Sequence, residues 1–364
     1  MPAYPTSPSP RFTRTLEFAL FGTSVIWVVA AQAIAGSAAR GLSVRFDIAS
    51  EKMLLSSILF LFLLALGFTI LQIISGRPRQ LREILGLPQR ATAREEWGIG
   101  AALGWGAVVL AVLPMALFAS LHPHFFWDAN SFFLILVNLA TLLVAALAEE
   151  VAFRGYAFRR LIDATGPVTA TLATSFLFGF AHLFNPEASW ISVLITTLAG
   201  IFLCIAWLRT HGLWLGWGIH FAWNASMGVL LGLPVSGIRS FSTVIQTHAV
   251  GRRWVTGGAY GPEAAFFTIV AVFVAIVALV LLTREYAWNY TRPPLIPAGN
   301  AQDVAPPAAH VAMEQEAQAR PASLVQILST TPGTMSVQSA PPPPMPAAAP
   351  PPPPIPTGPV EDPS

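Results

Sequence analysis

Eight stretches of apolar residues, separated by short polar connections, occupy most of the chain before position 284. Each stretch is close to the roughly 20 residues that a helix needs to cross the hydrocarbon core of a bilayer. The pattern therefore predicts an all-α, polytopic membrane protein with about eight transmembrane helices. Their approximate bounds are 16–36, 53–74, 98–119, 131–149, 167–184, 190–208, 212–233 and 263–283.

The composition strengthens this interpretation. Only 10% of the 364 residues are charged and 54% are hydrophobic, whereas a soluble domain carries about 25% charged residues. The net charge of +2 is small, and no basic block with interleaved aromatic residues indicates a nucleic-acid partner. The single cysteine, Cys204, lies in an apolar run, so we expect a buried, inert thiol and no intramolecular disulfide.

The arginines predict how the helices are oriented. The connection from 75 to 97 holds five arginines, whereas the connection from 120 to 130 holds no lysine or arginine. Because positive residues concentrate on the cytoplasmic side, both termini are expected there, with residues 1–15 as a short cytoplasmic segment. Composition and tail are typical of a multi-pass protein of the bacterial plasma membrane, in contact with its lipids.

The first apolar run has a second interpretation. It follows Arg11 and Arg14 and ends in AAQAIAGSAA, a pattern shared with cleavable signal peptides. The run is longer than a usual signal core, and its removal would leave an odd number of spans. A retained first helix is therefore favoured.

The last segment, 284–364, differs from the rest of the chain because it lacks apolar runs and ends in a proline-rich tract. Proline this dense blocks helix and sheet and favours an extended polyproline conformation. We predict a disordered cytoplasmic tail, either passive or a docking strip for a proline-binding partner. The organisation is thus residues 1–15, a helical membrane domain at 16–283 and the tail.

Two adjacent carboxylates lie where the apolar pattern does not stop. Glu149 and Glu150 are followed by about two more apolar turns, so both are expected inside one long helix, where a carboxylate costs about 2.5–3.5 kcal/mol at mid-span. Glu150 and Arg154 are four residues apart and can pair. Glu149 points about 100° away without that partner, which makes it the candidate general base. The alternative is an ion-pair network that only fixes helix packing.

Further polar residues occur in two other predicted spans. His182 lies in the fifth span, and His220 and Asn224 share one face of the seventh because they are four residues apart. A single histidine on an apolar helix is usually a packing or hydrogen-bonding residue. Convergence of these groups with Glu149 in one intramembrane cavity would instead indicate a catalytic site.

Such a site could hydrolyse a peptide bond in two ways. In one, the glutamate takes a proton from water, one histidine orients that water, and the asparagine with the second histidine stabilises the oxyanion. In the other, Glu149, His182 and His220 are ligands of a catalytic zinc. The helical HExxH pair of zinc proteases is absent, as are a GxSG-type serine motif and paired aspartates.

Three segments resemble the motifs of one known family. They are EEVAFRG (149–155), FGFAH (178–182) and HFAWN (220–224), and they are similar to the EExxxR, FxxxH and HxxxN motifs of the CPBP family. This is the family of CAAX-processing and bacteriocin-processing intramembrane proteases, also called the Abi family. Each motif is short, but three in order on separate predicted helices make a specific match, over about residues 50–235.

The resemblance implies an all-helical protease with a membrane-embedded cavity. By motif, Glu149 matches the water-activating glutamate and His182 the histidine that assists it. His220 and Asn224 match the oxyanion-stabilising pair, and Glu150 and Arg154 match supporting positions. Family members are often labelled metalloproteases, but the resemblance favours a metal-free glutamate mechanism. The implied substrates are a prenylated CAAX protein or a bacteriocin-like peptide.

Two other functions are compatible with the sequence. A non-catalytic membrane scaffold or immunity protein would recruit partners through the proline-rich tail. A transporter would also place carboxylates and histidines in the membrane, but the sequence contains no inverted repeat and no pair of broken helices. The intact set of three motifs favours the intramembrane endopeptidase.

Overall fold

The computed structural model describes residues 10–76 and 79–284. The predicted disorder of the tail, and any partner that binds it, therefore concern residues outside the described part of the chain. The first nine residues of the predicted cytoplasmic N-terminal segment lie outside it too.

Most of the described residues are helical. The helices are α1 Pro10–Phe46, α2 Lys52–Ile74, α3 Leu81–Ile84, α4 Ala93–Phe118, α5 Ala129–Glu150, α6 Tyr156–Thr165, α7 Pro167–Ala181, α8 Trp190–Thr210, α9 Trp214–Ala225, α10 Arg253–Thr256 and α11 Phe266–Leu282. Short π-helical turns at Val151–Gly155 and Ser226–Leu230 continue α5 and α9, and 3₁₀ turns occupy His182–Phe184 and Pro262–Ala264.

Six helical stretches are long and apolar enough to cross a membrane, which makes this a multi-pass integral membrane protein. They correspond to the first six predicted spans. The other two predicted spans are shorter: α9 with its π-helical turn, and α11. The predicted number of about eight spans is therefore not confirmed, although apolar helices do occupy all eight positions.

The fourth span is the long helix that the sequence predicts around the two glutamates. Helix α5 passes through the π-helical turn into α6, so the helical stretch runs from Ala129 to Thr165. Glu149 and Glu150 thus lie within a continuous helix and not at its end. Gly166, at a φ of 86°, then reverses the chain, and α7 begins at the next residue.

Helix α1 is longer than predicted and packs against α2 and α6. The indole N–H of Trp27 donates to the carbonyl oxygen of Leu63 at 2.9 Å, and the guanidinium of Arg160 pairs with Glu17 at 2.8 Å. Polar residues after position 36 do not end the helix, because Ser37 and Arg40 hydrogen-bond to each other within it.

Helices α4 and α9 approach each other closely because glycine lines their contact. A Cβ at Gly100 would meet the carbonyl oxygen of Leu215, and one at Gly104 would meet that of Ile219. Small residues four apart are a common device for close helix packing in membranes. This contact fixes the position of α9, which carries His220.

The core of the described residues comprises three apolar clusters. One joins α1, α2 and the long helix, with the rings of Phe68 and Tyr156 stacked at 5.4 Å. A second surrounds Met115 and Met227, and a third surrounds Phe202 and Leu215. Cys204 is buried in the first cluster, as predicted.

A small sheet is the one element type that the sequence did not predict. Strands β1 Ser120–Phe125 and β2 Ile245–Val250 pair antiparallel, with Ser120 opposite Val250 and Phe125 opposite Ile245. Both strands lie in connections between apolar stretches. The first contains Pro123, which cannot donate to a strand ladder, so the local pattern does not indicate a strand.

Candidate active site

The predicted pair of Glu150 and Arg154 is present and fully buried. The Nη1 atom of Arg154 lies 3.2 Å from Oε1 of Glu150, with exposed side-chain fractions of 0% and 1%. The guanidinium also lies 4.2 Å from the ring centroid of Phe178, and Nη2 donates to the carbonyl oxygen of Gly200 at 3.4 Å. Because a buried charge needs a partner, Arg154 keeps Glu150 ionised within the helical core.

His220 lies between the two carboxylates. Its Nδ1 is 2.9 Å from Oε1 of Glu150, and its Nε2 is 3.6 Å from Oε2 of Glu149. Since an ionised carboxylate only accepts hydrogen bonds, Nδ1 carries the proton that is donated to Glu150. The other ring nitrogen then faces Glu149 at a distance longer than a direct hydrogen bond.

Glu149 is less buried than Glu150. Its side chain is 35% exposed, whereas that of Glu150 is 1% exposed. Its Oε2 atom is nevertheless buried and has no hydrogen-bond partner among the described residues. The role of Glu149 as the general base stays a prediction.

His182, His220 and Asn224 line one cavity. Counted with its open mouth, the cavity measures about 580 Å³. Apolar side chains form most of its wall; those at its sides are Phe178, Ile195, Phe202, Leu203, Ile219 and Val272. Glu149 does not line the cavity itself but lies next to His220, which does. The structure thus brings the second and third motifs together, with the first motif adjoining them.

His182 has a defined ring orientation. It ends α7 and begins the 3₁₀ turn, and its Nδ1 lies 2.8 Å from the carbonyl oxygen of Phe178. A carbonyl oxygen only accepts, so Nδ1 carries a proton and Nε2 is left free to face the cavity. Phe178 therefore connects the motifs: its ring covers Arg154, its carbonyl orients His182, and its edge faces His220 at 6.1 Å.

Both π-helical turns lie next to motif residues. Val151–Gly155 directly follows Glu150 and includes Arg154, and Ser226–Leu230 begins two residues after Asn224. Such turns are rare and are frequently found at functional sites. Here they change the helical register just past the carboxylates and just past the asparagine.

The sequence did not predict a second polar group at the cavity. Glu263 accepts a hydrogen bond from the indole of Trp223 at 2.9 Å and one from the hydroxyl of Ser236 at 2.9 Å, and all three residues line the cavity. Trp223 lies inside the third motif, but Glu263 gave no signal because it is the first residue of the eighth predicted span, where a carboxylate is ordinary. In the structure it lies in the 3₁₀ turn Pro262–Ala264. Burial, together with the charge of Glu263, raises the pKa of nearby Tyr260 to about 12, so its phenol is neutral.

The alternative zinc set does not have the required arrangement. Catalytic zinc takes three protein ligands at about 2.0–2.2 Å. Within the described part of the chain, no group of three histidine, cysteine, aspartate or glutamate side chains could hold a metal ion. Glu149, His182 and His220 therefore do not form a metal-binding set in this conformation.

Comparison with known proteins agrees with the motifs. Residues 130–226 match the family model described as type II CAAX prenyl endopeptidase Rce1-like. This segment extends from α5 to the start of the second π-helical turn and contains all six predicted site residues. No curated protein and no solved structure matches the chain. Residues 130–226, which carry the three motifs, thus match a CAAX-protease family model, in agreement with the resemblance that the motifs predict.

Proposed function

We propose that the protein is an intramembrane endopeptidase of the CAAX-processing type, in which Glu149 activates the attacking water. The observation that carries the proposal is the arrangement of Glu149 and His220 beside a cavity lined by His182 and Asn224. The family match to residues 130–226 supports the same activity.

The first step is proton transfer from water to Glu149. Water can reach Glu149 because its side chain is 35% exposed, and the carboxylate lies next to His220, with Oε2 3.6 Å from Nε2. As its proton passes to the carboxylate, the water oxygen bonds to the carbonyl carbon of the peptide. Glu150 and Arg154 act as positioning residues: the ion pair holds the carboxylate that orients His220.

The second step is breakdown of the tetrahedral intermediate. The amide of Asn224 donates to the oxyanion, and so does Nε2 of His220 when it carries a proton. The C–N bond then breaks, and the leaving nitrogen takes the proton held by Glu149, directly or through His182. The products are a carboxylate and an amine.

The substrate we propose is a membrane-associated peptide, with a prenylated CAAX protein as the first candidate and a bacteriocin-like peptide as the second. The apolar wall of the cavity suits a lipid-bearing or hydrophobic segment. We propose that no metal takes part, because the described residues offer no three-ligand set.

The test uses the full chain, purified in detergent, with a farnesylated peptide that ends in a CAAX sequence and the same peptide without the lipid. Glu149→Gln keeps the size of the side chain but removes the base, so we expect cleavage to fall by at least 100-fold, within the range for general-base catalysis. Glu95→Gln is the matched control, since Glu95 is exposed and lies away from the cavity. A chelator such as EDTA should leave the rate unchanged.

Membranes containing the wild-type or Glu149→Gln protein at equal abundance provide the second readout. Peptide termini that appear only with the wild type would identify the natural substrate. If Glu149→Gln cleaves the peptide within a few fold of the wild type, the glutamate mechanism is wrong. If the two membranes give identical termini and deletion of 285–364 changes the phenotype, the scaffold function is favoured instead.

A further inference from the structure

A second recess, outside the candidate active site, is lined by basic residues. It lies where the long helix ends, α7 begins and α8 ends. Counted with its open mouth it measures about 990 Å³, and Arg79, Arg159, Arg160 and His211 line it together with Asp163. The proposed peptidase mechanism uses none of these residues.

The charges of the recess are not balanced within its walls. Arg160 is neutralised, because its guanidinium pairs with Glu17 at 2.8 Å and lies 3.6 Å from Asp163. Arg159 donates to the carbonyl oxygen of Ile84, a neutral partner. Glu83 and Asp163 attract Arg159 from a distance. Arg79 forms no ion pair with a described residue, so the recess keeps unpaired positive charge.

Buried hydrogen-bond donors in the recess lack acceptors. The indole of Trp207 is 7% exposed, and its Nε1 has no partner among the described residues. The same holds for Nε of Arg160, which is 3% exposed, and for Nε of Arg159. Unmatched buried donors are uncommon in proteins, and these three belong to residues that line the recess. Small shifts of these side chains would bring them to an acceptor with several oxygens in the recess.

The start of α7 adds to this preference for an anion. Pro167 lines the recess and is the first residue of a 15-residue helix whose N-cap, Gly166, provides no side-chain acceptor. The first N–H groups of such a helix, and its dipole, favour a negatively charged ligand. Charge, unmatched donors and helix dipole therefore all favour the same ligand chemistry.

From these observations we infer that the recess binds the phosphate headgroup of an anionic phospholipid. It lies at the ends of three helices that are long and apolar enough to span a membrane, which is where headgroups are found. An exposed apolar stripe of Val168, Leu172 and Phe176 runs along α7 from the edge of the recess. The acyl chains of the same lipid would follow this stripe, which a free phosphate would not need.

The test compares lipid retention by the full chain in detergent. The protein is incubated with phosphatidylglycerol or with phosphatidylcholine, and bound lipid is counted by native mass spectrometry. We expect phosphatidylglycerol to be retained in preference. Arg79→Gln should weaken its binding about fivefold, the factor for one basic residue near a charged membrane surface. The variant should stay folded, because the Arg79 side chain is exposed and forms no ion pair with the described residues. Arg79→Lys should restore binding.

Arg252→Gln is the control, since Arg252 is exposed and does not line the recess. Equal retention of both lipids would overturn the inference. So would equal binding by Arg79→Gln and Arg252→Gln. Displacement of phosphatidylglycerol by millimolar inorganic phosphate would show that the site takes a free anion, which also overturns the assignment to a lipid.

Discussion

Replacing Arg154 by leucine should strongly destabilise the protein. The substitution removes the guanidinium that lies 3.2 Å from Glu150 and leaves that carboxylate 1% exposed, with the imidazole of His220 as its one remaining polar contact among the described residues. It also removes the cation that lies over the Phe178 ring. A carboxylate that has lost its partner must either stay charged in an apolar environment or take up a proton.

The loss in free energy of unfolding can be derived from this burial. Removing one partner of a buried ion pair costs about 3–5 kcal/mol, and the lost cation–π contact contributes within that range. At about 2–4 °C for each kcal/mol, the factor for domains of roughly 150–250 residues, the Tm should fall by on the order of 10 °C. The double variant Glu150→Gln/Arg154→Met removes both charges together, so it should recover at least half of the lost stability.

Thermal unfolding of the full chain in detergent measures these differences. Arg40→Leu is the control, because the Arg40 side chain is exposed and, among the described residues, hydrogen-bonds to Ser37 alone. The Tm of this variant should stay within about 2 °C of the wild type. The double variant should remain inactive despite its recovered stability, since the amide that replaces the Glu150 carboxylate orients His220 without a charge. A loss below 1 kcal/mol for Arg154→Leu, or no recovery in the double variant, would refute the reasoning.

Two other predictions concern helix packing and a helix cap. Gly104→Ala should destabilise by about 1–3 kcal/mol, because its Cβ would meet the carbonyl oxygen of Ile219, whereas Gly106→Ala, whose Cβ meets nothing within 4 Å, should be neutral or slightly stabilising in the same thermal assay. Hydrogen bonds from Ser131, of which the side-chain bond is the larger cause, lower the pKa of Asp128 below 3.8. The Asp128 carboxylate therefore stabilises the protein above pH 3.8, and this contribution is lost as the pH falls through its pKa in the folded protein. Between pH 5 and 3, the Asp128→Asn variant should lose less stability than the wild type. Equal slopes for the two proteins would contradict this assignment.

Part of the site could be predicted because it depends on local geometry. Residues four apart share a helical face, so the contact of Glu150 with Arg154 follows from spacing alone, and it persists through the π-helical turn. His220 and Asn224 line one cavity for the same reason. The continuation of the fourth span beyond the glutamates was likewise visible in the unbroken apolar pattern.

Which of the two adjacent carboxylates is buried could not be predicted. Glu149 and Glu150 have the same chemistry and similar local sequence, and they differ only in which neighbouring groups they face. Both lie beside His220 of α9, and the buried one, Glu150, also contacts the Arg154 guanidinium. The role of Glu263 could not be predicted either, since its contact with Trp223 joins residues 40 positions apart in the chain.

The sequence by itself determined the class of molecule: apolar runs of bilayer length, sparse charge and three spaced motifs are local properties that need no knowledge of packing. It also determined the helices that carry the site, because hydrophobic period and length are set residue by residue. Only the tertiary structure decided that His220 lies between two carboxylates, that three arginines border one recess, and that strands β1 and β2 pair. Each of these features depends on how segments far apart in the chain pack together. Close contacts, such as that of Gly104 with α9, set this packing, and no local sequence pattern encodes it.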